Sequence, residues 1–101
     1  MKTFHCAMGI TALMFVVSAA QAQDALQVRS WAAACANCHG TNGVAQPGNE
    51  SLAGMTKDDI SAKMLDFKNG RKPATVMHQL AKGYTDEQIS AIAGYFAAQK
   101  K

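Results

Sequence analysis

Two cysteines three positions apart, with a histidine directly behind the second, constrain this chain more than anything else in it: Cys35-Ala36-Asn37-Cys38-His39. The pattern is that of c-type haem attachment. Each thiol adds to one vinyl group of a porphyrin edge, and the spacing keeps both sulfurs on one side of a single turn. The next residue then projects its imidazole under the macrocycle, within reach of the iron as proximal ligand. The same thiols would also suit a thioredoxin-type dithiol or half of a zinc site. The first needs a βαβ surround and the second needs two further Cys or His ligands at suitable spacing. The sequence offers neither. Cys35 and Cys38 are therefore read as the attachment points of one covalent haem c, and His39 as a ligand of its iron.

The first stretch of the 101-residue chain reads as an export signal. Lys2 gives a weak basic start, Cys6 to Val17 form an apolar run interrupted by Gly9 and Thr11, and Ala20-Gln21-Ala22 supplies small residues for a signal peptidase. The run is too short for a membrane span. Residues 1–22 are expected to be a secretory signal peptide and residues 23–101 a single monohaem domain. Cys6 lies too early to carry a lipid after cleavage, and no stable membrane insertion is expected once the signal is removed. Export implies a periplasmic location, which suits c-type haem, attached outside the cytoplasm in bacteria.

The remaining 79 residues, Gln23 to Lys101, keep two of the three cysteines, and the haem motif uses both. No disulfide framework is left to hold so small a chain, so a large buried cofactor is the natural missing piece of its core. Nine Lys and Arg face seven Asp and Glu in this part. A net charge of about +2 is too mild to argue for nucleic acid or an anionic membrane as partner.

Hydrophobic spacing predicts helices and no strands. Val28, Trp31, Ala32 and Cys35 form an apolar stripe on a helix from Asp24 to about Asn37. Gly40 to Gly43 break it, and Val44 to Gly54 read as a loop over one haem face, with Leu52 as its buried side chain. Thr56 caps a second helix with Ile60, Met64, Leu65 and Phe67 inside, ended by Asn69-Gly70. Pro73 suits the start of a short helix through Ala74 to Lys82, and Gly83 its end. Thr85 and Gln88 form a capping box for a last helix whose stripe is Ile89, Ile92, Ala93 and Phe96. Gly94 within that helix is assigned to close packing against Ala32 and Ala33.

The second axial ligand decides what the iron does. Met55, Met64, Met77 and His78 are the available donors. Met64 falls on an apolar stripe, where core packing is its ordinary role. Met55 comes sixteen residues after His39 and Met77 thirty-eight, far enough for the chain to pass the haem edge and return on the other face. His78 is adjacent to Met77, but helical neighbours diverge by about 100 degrees, so both cannot face the iron. His78 is expected in solvent.

The whole of residues 23–101 resembles a known family. The helix ending in Cys35-Ala36-Asn37-Cys38-His39-Gly40 is followed by Leu52-Ala53-Gly54, Phe67-Lys68-Asn69-Gly70-Arg71, Met77 and Ala81-Lys82-Gly83-Tyr84-Thr85-Asp86-Glu87. This order is similar to that of class I cytochromes c, and within them to the haem domains of the cytochrome subunit of flavocytochrome c sulfide dehydrogenase. The resemblance implies an all-α fold of three to four helices packed around one covalent haem, with His39 as proximal and Met77 as distal iron ligand. One departure stands out. The family usually has a proline two residues before its Leu-Ala-Gly run, and here that position is Glu50. The carbonyl that orients the His39 imidazole is thereby left open.

His/Met ligation closes both axial positions and raises the reduction potential, which suits outer-sphere electron transfer and no bond chemistry of the protein's own. The expectation is an electron-transfer protein, not an enzyme in itself, whose partners are redox proteins. By resemblance the electron donor is a sulfide-oxidising flavoprotein subunit. A free carrier to a terminal oxidase is the alternative within this class. A haem-based ligand binder or peroxidase is the alternative outside it, and requires Met77 not to be bound. Lys68, Arg71, Lys72 and Lys82 cluster near Met77 in the sequence as a candidate basic surface.

Overall fold

The structure, a computed structural model, describes residues 16–100, with side chains from residue 24 onward. Its elements are α1 (Val16–His39), α2 (Lys57–Lys68), α3 (Met77–Lys82) and α4 (Asp86–Ala97). No strand occurs among the described residues, so the fold is all-α, as expected for a small class I cytochrome c. Most of the expected signal segment, residues 1–15, lies outside the described residues, and the backbone of α1 runs through the expected cleavage junction at Ala22. Among the described residues no helix is long and apolar enough to cross a membrane.

α2 packs against both α3 and α4, and α4 packs in turn against α1. The local sequence of α4 fixes it firmly. The Gln88 N–H donates to Thr85 Oγ1 at 3.1 Å, and the Gln88 side chain reaches back to accept from the Thr85 N–H at 2.9 Å. Two otherwise unpaired helix-end donors are thus satisfied reciprocally. The stripe Ile89, Ile92, Ala93 and Phe96 is fully buried and meets Ala32 of α1, Ile60 and Met64 of α2 and Ala81 of α3 in one cluster. Phe96 has no exposed surface. Truncating such a ring to alanine costs about 3–5 kcal/mol, a large share of the stability of so small a domain.

α2 begins as its sequence indicates, with Thr56 Oγ1 accepting the Asp59 N–H at 3.1 Å and Asp58 and Asp59 in the first turn, where the helix dipole favours acids. After Gly70 the N–H groups of Arg71 and Lys72 both donate to the Asp66 carbonyl, folding the chain back.

Two expectations change. The helix expected from Pro73 starts only at Met77. Thr75 and Val76 are β-branched and resist helix formation, and residues 73–76 instead form a non-helical wall of the cavity described below. Gly83 does end that helix, its N–H donating to the Leu80 carbonyl at 3.1 Å. Gly94 does not serve the α1 crossing. A methyl group built there would meet only the Lys57 side chain, at 3.7 Å, an ordinary contact, so the glycine is incidental to packing.

Candidate haem site

A cavity of about 420 Å³ opens between the C-terminal end of α1, the loop that follows it, α2, α3 and α4. It gathers Cys35, Cys38 and His39 from α1 and Met77 from the start of α3, so side chains thirty-eight residues apart in sequence share one space. Leu52, Ile60, Phe67, Leu80, Ile92 and Phe96 make the rest of its lining predominantly apolar. Met55 and Met64 line it too, whereas His78 does not. His78 is half-buried with Nδ1 sealed from solvent and unpartnered, not in solvent as expected, and Nε2 lies 3.2 Å from the Gln79 amide nitrogen. Leu52 is half-buried, and its neighbour Ala53 is buried in its place.

The loop is folded by backbone. Gly40, with φ +86°, turns the chain straight out of α1, and a Cβ there would fall 2.0 Å from the Val44 carbonyl oxygen. Only glycine permits that approach. Gly43, with φ +79°, sits against Ala53, and its carbonyl accepts from the N–H groups of both Leu52 and Ala53 at 2.7 and 3.0 Å. The Ala45 N–H donates to Ser51 Oγ at 2.9 Å. These bonds bring Glu50 over the His39 ring, where Nδ1–H donates to the Glu50 carbonyl at 2.5 Å.

That bond answers the question left by the missing proline. Orienting an imidazole requires a carbonyl at this place, and Glu50 supplies one without the proline ring. With Nδ1 committed as donor, the lone pair is on Nε2, the arrangement in which a histidine ligates a metal. The residues therefore fit a haem. Two thiols stand at the cavity, an imidazole with its outer nitrogen already engaged shares it, and thioethers and apolar side chains line the remainder. Among the described residues no group of three or more His, Cys, Asp or Glu side chains comes together to hold a metal ion, so a zinc site lacks its further ligands.

Burial pushes the Cys35 thiol up, outweighing the backbone hydrogen bond that pulls the other way. Tyr84, also lining the cavity, is raised by burial and then by Cys35, and its hydroxyl donates to the Trp31 carbonyl at 3.4 Å. Glu50 is lowered, chiefly by the hydrogen bond from Lys63. Neither Glu50 nor Lys63 was picked out as a pair by the sequence; thirteen residues separate them and no helical spacing links them.

The expected basic surface is thinner than its sequence. Lys68 pairs with Asp86 at 2.8 Å and Arg71 with Asp66 at 3.0 Å, while the Lys72 ammonium lies 5.2 Å from the Phe67 ring centre. Lys82 is exposed.

A family model described as "Cytochrome C oxidase, cbb3-type, subunit III" matches residues 22–96. The chain is 45% identical over 67 residues to the cytochrome subunit of sulfide dehydrogenase from Chlorobaculum tepidum, covering 66% of this chain and 61% of that protein. It is 29% identical to a thiosulfate dehydrogenase electron acceptor from Stutzerimonas stutzeri, over 97% of this chain and 49% of that one. It is 31% identical to cytochrome c-553 of Helicobacter pylori, over 99% of this chain and 100% of the relative. The chain thus spans about half to three fifths of the first two relatives and the whole of the third.

Proposed function

The chain belongs to the class I c-type cytochromes, with one covalent haem c and a role in electron transfer rather than catalysis; from that premise we propose that it accepts single electrons, outside the cytoplasm, from a sulfide-oxidising flavoprotein. The observation that carries the site is the shared cavity. Cys35, Cys38, His39 and Met77, chosen on sequence, all line it, and His39 has its outer nitrogen held by Glu50. The likeness to a cytochrome subunit of sulfide dehydrogenase supports the donor.

When bound, haem c supplies a one-electron ferric/ferrous couple. The chain's own residues do the rest. Cys35 and Cys38 would tether the porphyrin edge, His39 Nε2 and the Met77 thioether would be the donors to its iron, and Ile60, Phe67, Ile92 and Phe96 would exclude water. Of the other thioethers, Met64 is buried in the core cluster and Met55 follows a turn closed by its own N–H donating to the Leu52 carbonyl at 3.1 Å. Met77 stands at the start of α3, on a different element from both, and the resemblance to class I cytochromes c favours it as the second donor. Residues 1–22 act as a signal peptide removed before use.

The test mixes the purified oxidised protein with a sulfide-reduced flavoprotein sulfide dehydrogenase subunit and follows the haem absorbance by stopped flow. Reduction faster than that by free sulfide, saturating at a stoichiometric ratio, supports the reading. Reduction no faster than by sulfide alone would leave the free-carrier role in its place. The mass of the exported protein should equal residues 23–101 plus one haem.

A further inference from the structure

The His39 ring is held by a carbonyl in a loop without regular structure, so something must hold that carbonyl. The flanking backbone is anchored on both sides. The Asn49 N–H donates to the Gln46 carbonyl at 3.2 Å, Ser51 accepts from Ala45, and Leu52 is bound to Gly43. These bonds all lie within the loop and fix its shape, while Leu52 and Met55 pack the stretch that follows against the core. The Glu50 side chain adds a polar link of its own to α2. Its Oε1 accepts from Lys63 Nζ at 2.6 Å. Lys63 projects from the middle of α2, between Ile60 and Met64, both buried in the core, so its Cα is as firmly placed as any in the domain. Glu50, Lys63 and His39 all line the same cavity.

We propose that Lys63 is a positioning residue: through its ion pair with Glu50 it locks the Glu50 carbonyl over His39 and so fixes the orientation of the proximal imidazole. One residue thereby works at both ends. The Glu50 main chain holds the ring and the Glu50 carboxylate is held in turn by the rigid helix. The pair is half-exposed, with 38% and 55% of the two side chains accessible, and exposed pairs of this kind add little to global stability. Its effect is therefore local. It appears in the freedom of one ring, because hydrogen-bonding partners behind a metal-ligating histidine set its orientation and basicity. The inference rests on His39 being the proximal ligand.

The experiment uses the haem-loaded protein and four variants: Lys63→Gln, Glu50→Gln, the double variant and Lys63→Arg. Covalent haem in each is verified by mass, so that loss of the haem reading is distinguishable from loss of the clamp. Two quantities are measured: solvent exchange of the His39 Nδ1–H proton by NMR in the ferrous state, and the reduction potential. Loss of the clamp should speed Nδ1–H exchange about tenfold in Lys63→Gln, in Glu50→Gln and in the double variant alike, with Lys63→Arg restoring it. The ferric-to-ferrous ratio at fixed potential should shift about fivefold in opposite directions in the two single variants, because their charge changes are opposite. If exchange stays at the wild-type rate in all four while only the potential moves with net charge, Lys63 and Glu50 act as charges alone and the positioning role is wrong.

Discussion

The two walls that carry the expected iron ligands are built in opposite ways. The loop of residues 40–55 behind His39 is held by its own backbone, with Gly40, Gly43, Leu52, Ala53 and Met55 all bonded within it and the His39 ring bonded to Glu50. The segment leading to Met77 has little of this. Once Arg71 and Lys72 have bonded to Asp66, the next backbone donors with recorded partners among the described residues are Gln79 and Leu80, bonded to Val76. Val76 and Leu80 expose 57% and 42% of their surface. Backbone hydrogen bonds therefore brace the wall behind His39 more densely than the wall that carries Met77. The lesson is that two ligands of one iron need not be equally prepared: local opening belongs to the side with fewer backbone bonds.

The largest expected effect removes the object that both walls enclose. Cys35→Ala combined with Cys38→Ala, which prevents attachment, should lose most of the helical circular dichroism, because so small a chain buries too little area alone. A cooperative, helix-rich apo form would show that the proximal wall stands without its cofactor and would sharpen the contrast further.

Next comes the distal ligand itself. Met77→Ala should abolish the weak far-red band of ferric thioether ligation, lower the potential by on the order of 0.1 V or more, and let carbon monoxide bind the reduced iron. Met64→Leu should leave all three readouts near wild type and cost less than about 1.5 kcal/mol. Carbon monoxide binding by the wild type as rapid as by Met77→Ala would make the protein a ligand binder and remove the distal wall from the comparison.

A third pair sets one small change in each wall against the other. Gly40→Ala forces a side chain onto a positive φ and into the Val44 carbonyl, and should cost about 3 kcal/mol in urea unfolding of the haem-loaded protein. Val76→Ala, at an exposed place in the distal wall, should stay within about 0.5 kcal/mol. Similar costs for the two would mean that both walls are equally rigid.

The smallest effect separates local from global opening. Gly94→Ala lies in α4, outside both walls, with room for the methyl group, and should stabilise the domain by about 1 kcal/mol. If the distal wall opens locally, displacement of the Met77 thioether by added imidazole should proceed at the wild-type rate in this variant. A rate about fivefold slower would mean that opening requires the whole domain to unfold.

Much of this was legible in the residues because it is local chemistry. The attachment motif, the Thr85–Gln88 capping box and the stripe ending at Phe96 depend on neighbours within one or two turns. The start of α3 was misplaced because Pro73 fits a helix start equally well when the chain runs on without helix through Val76. Gly94 was misread because a helical glycine marks a close approach or nothing, and only the third dimension tells which. The ion pairs of Lys68 and Arg71, which thin the basic surface, depend on how the turn after α2 folds back. Lys63 and Glu50 meet only because α2 passes beside the loop, and no periodicity could announce that.

That meeting has a consequence for how such a protein can change. Because the ring of His39 is gripped by a peptide oxygen, a group every amino acid carries, a change at residue 50 keeps the gripping atom but removes the carboxylate that steadies it. The codon at this place therefore cannot be rewritten from acidic to neutral for its charge alone, since the change that adjusts the voltage also loosens the ring. Grip and voltage, carried by the main chain and side chain of one residue, are bound to change together.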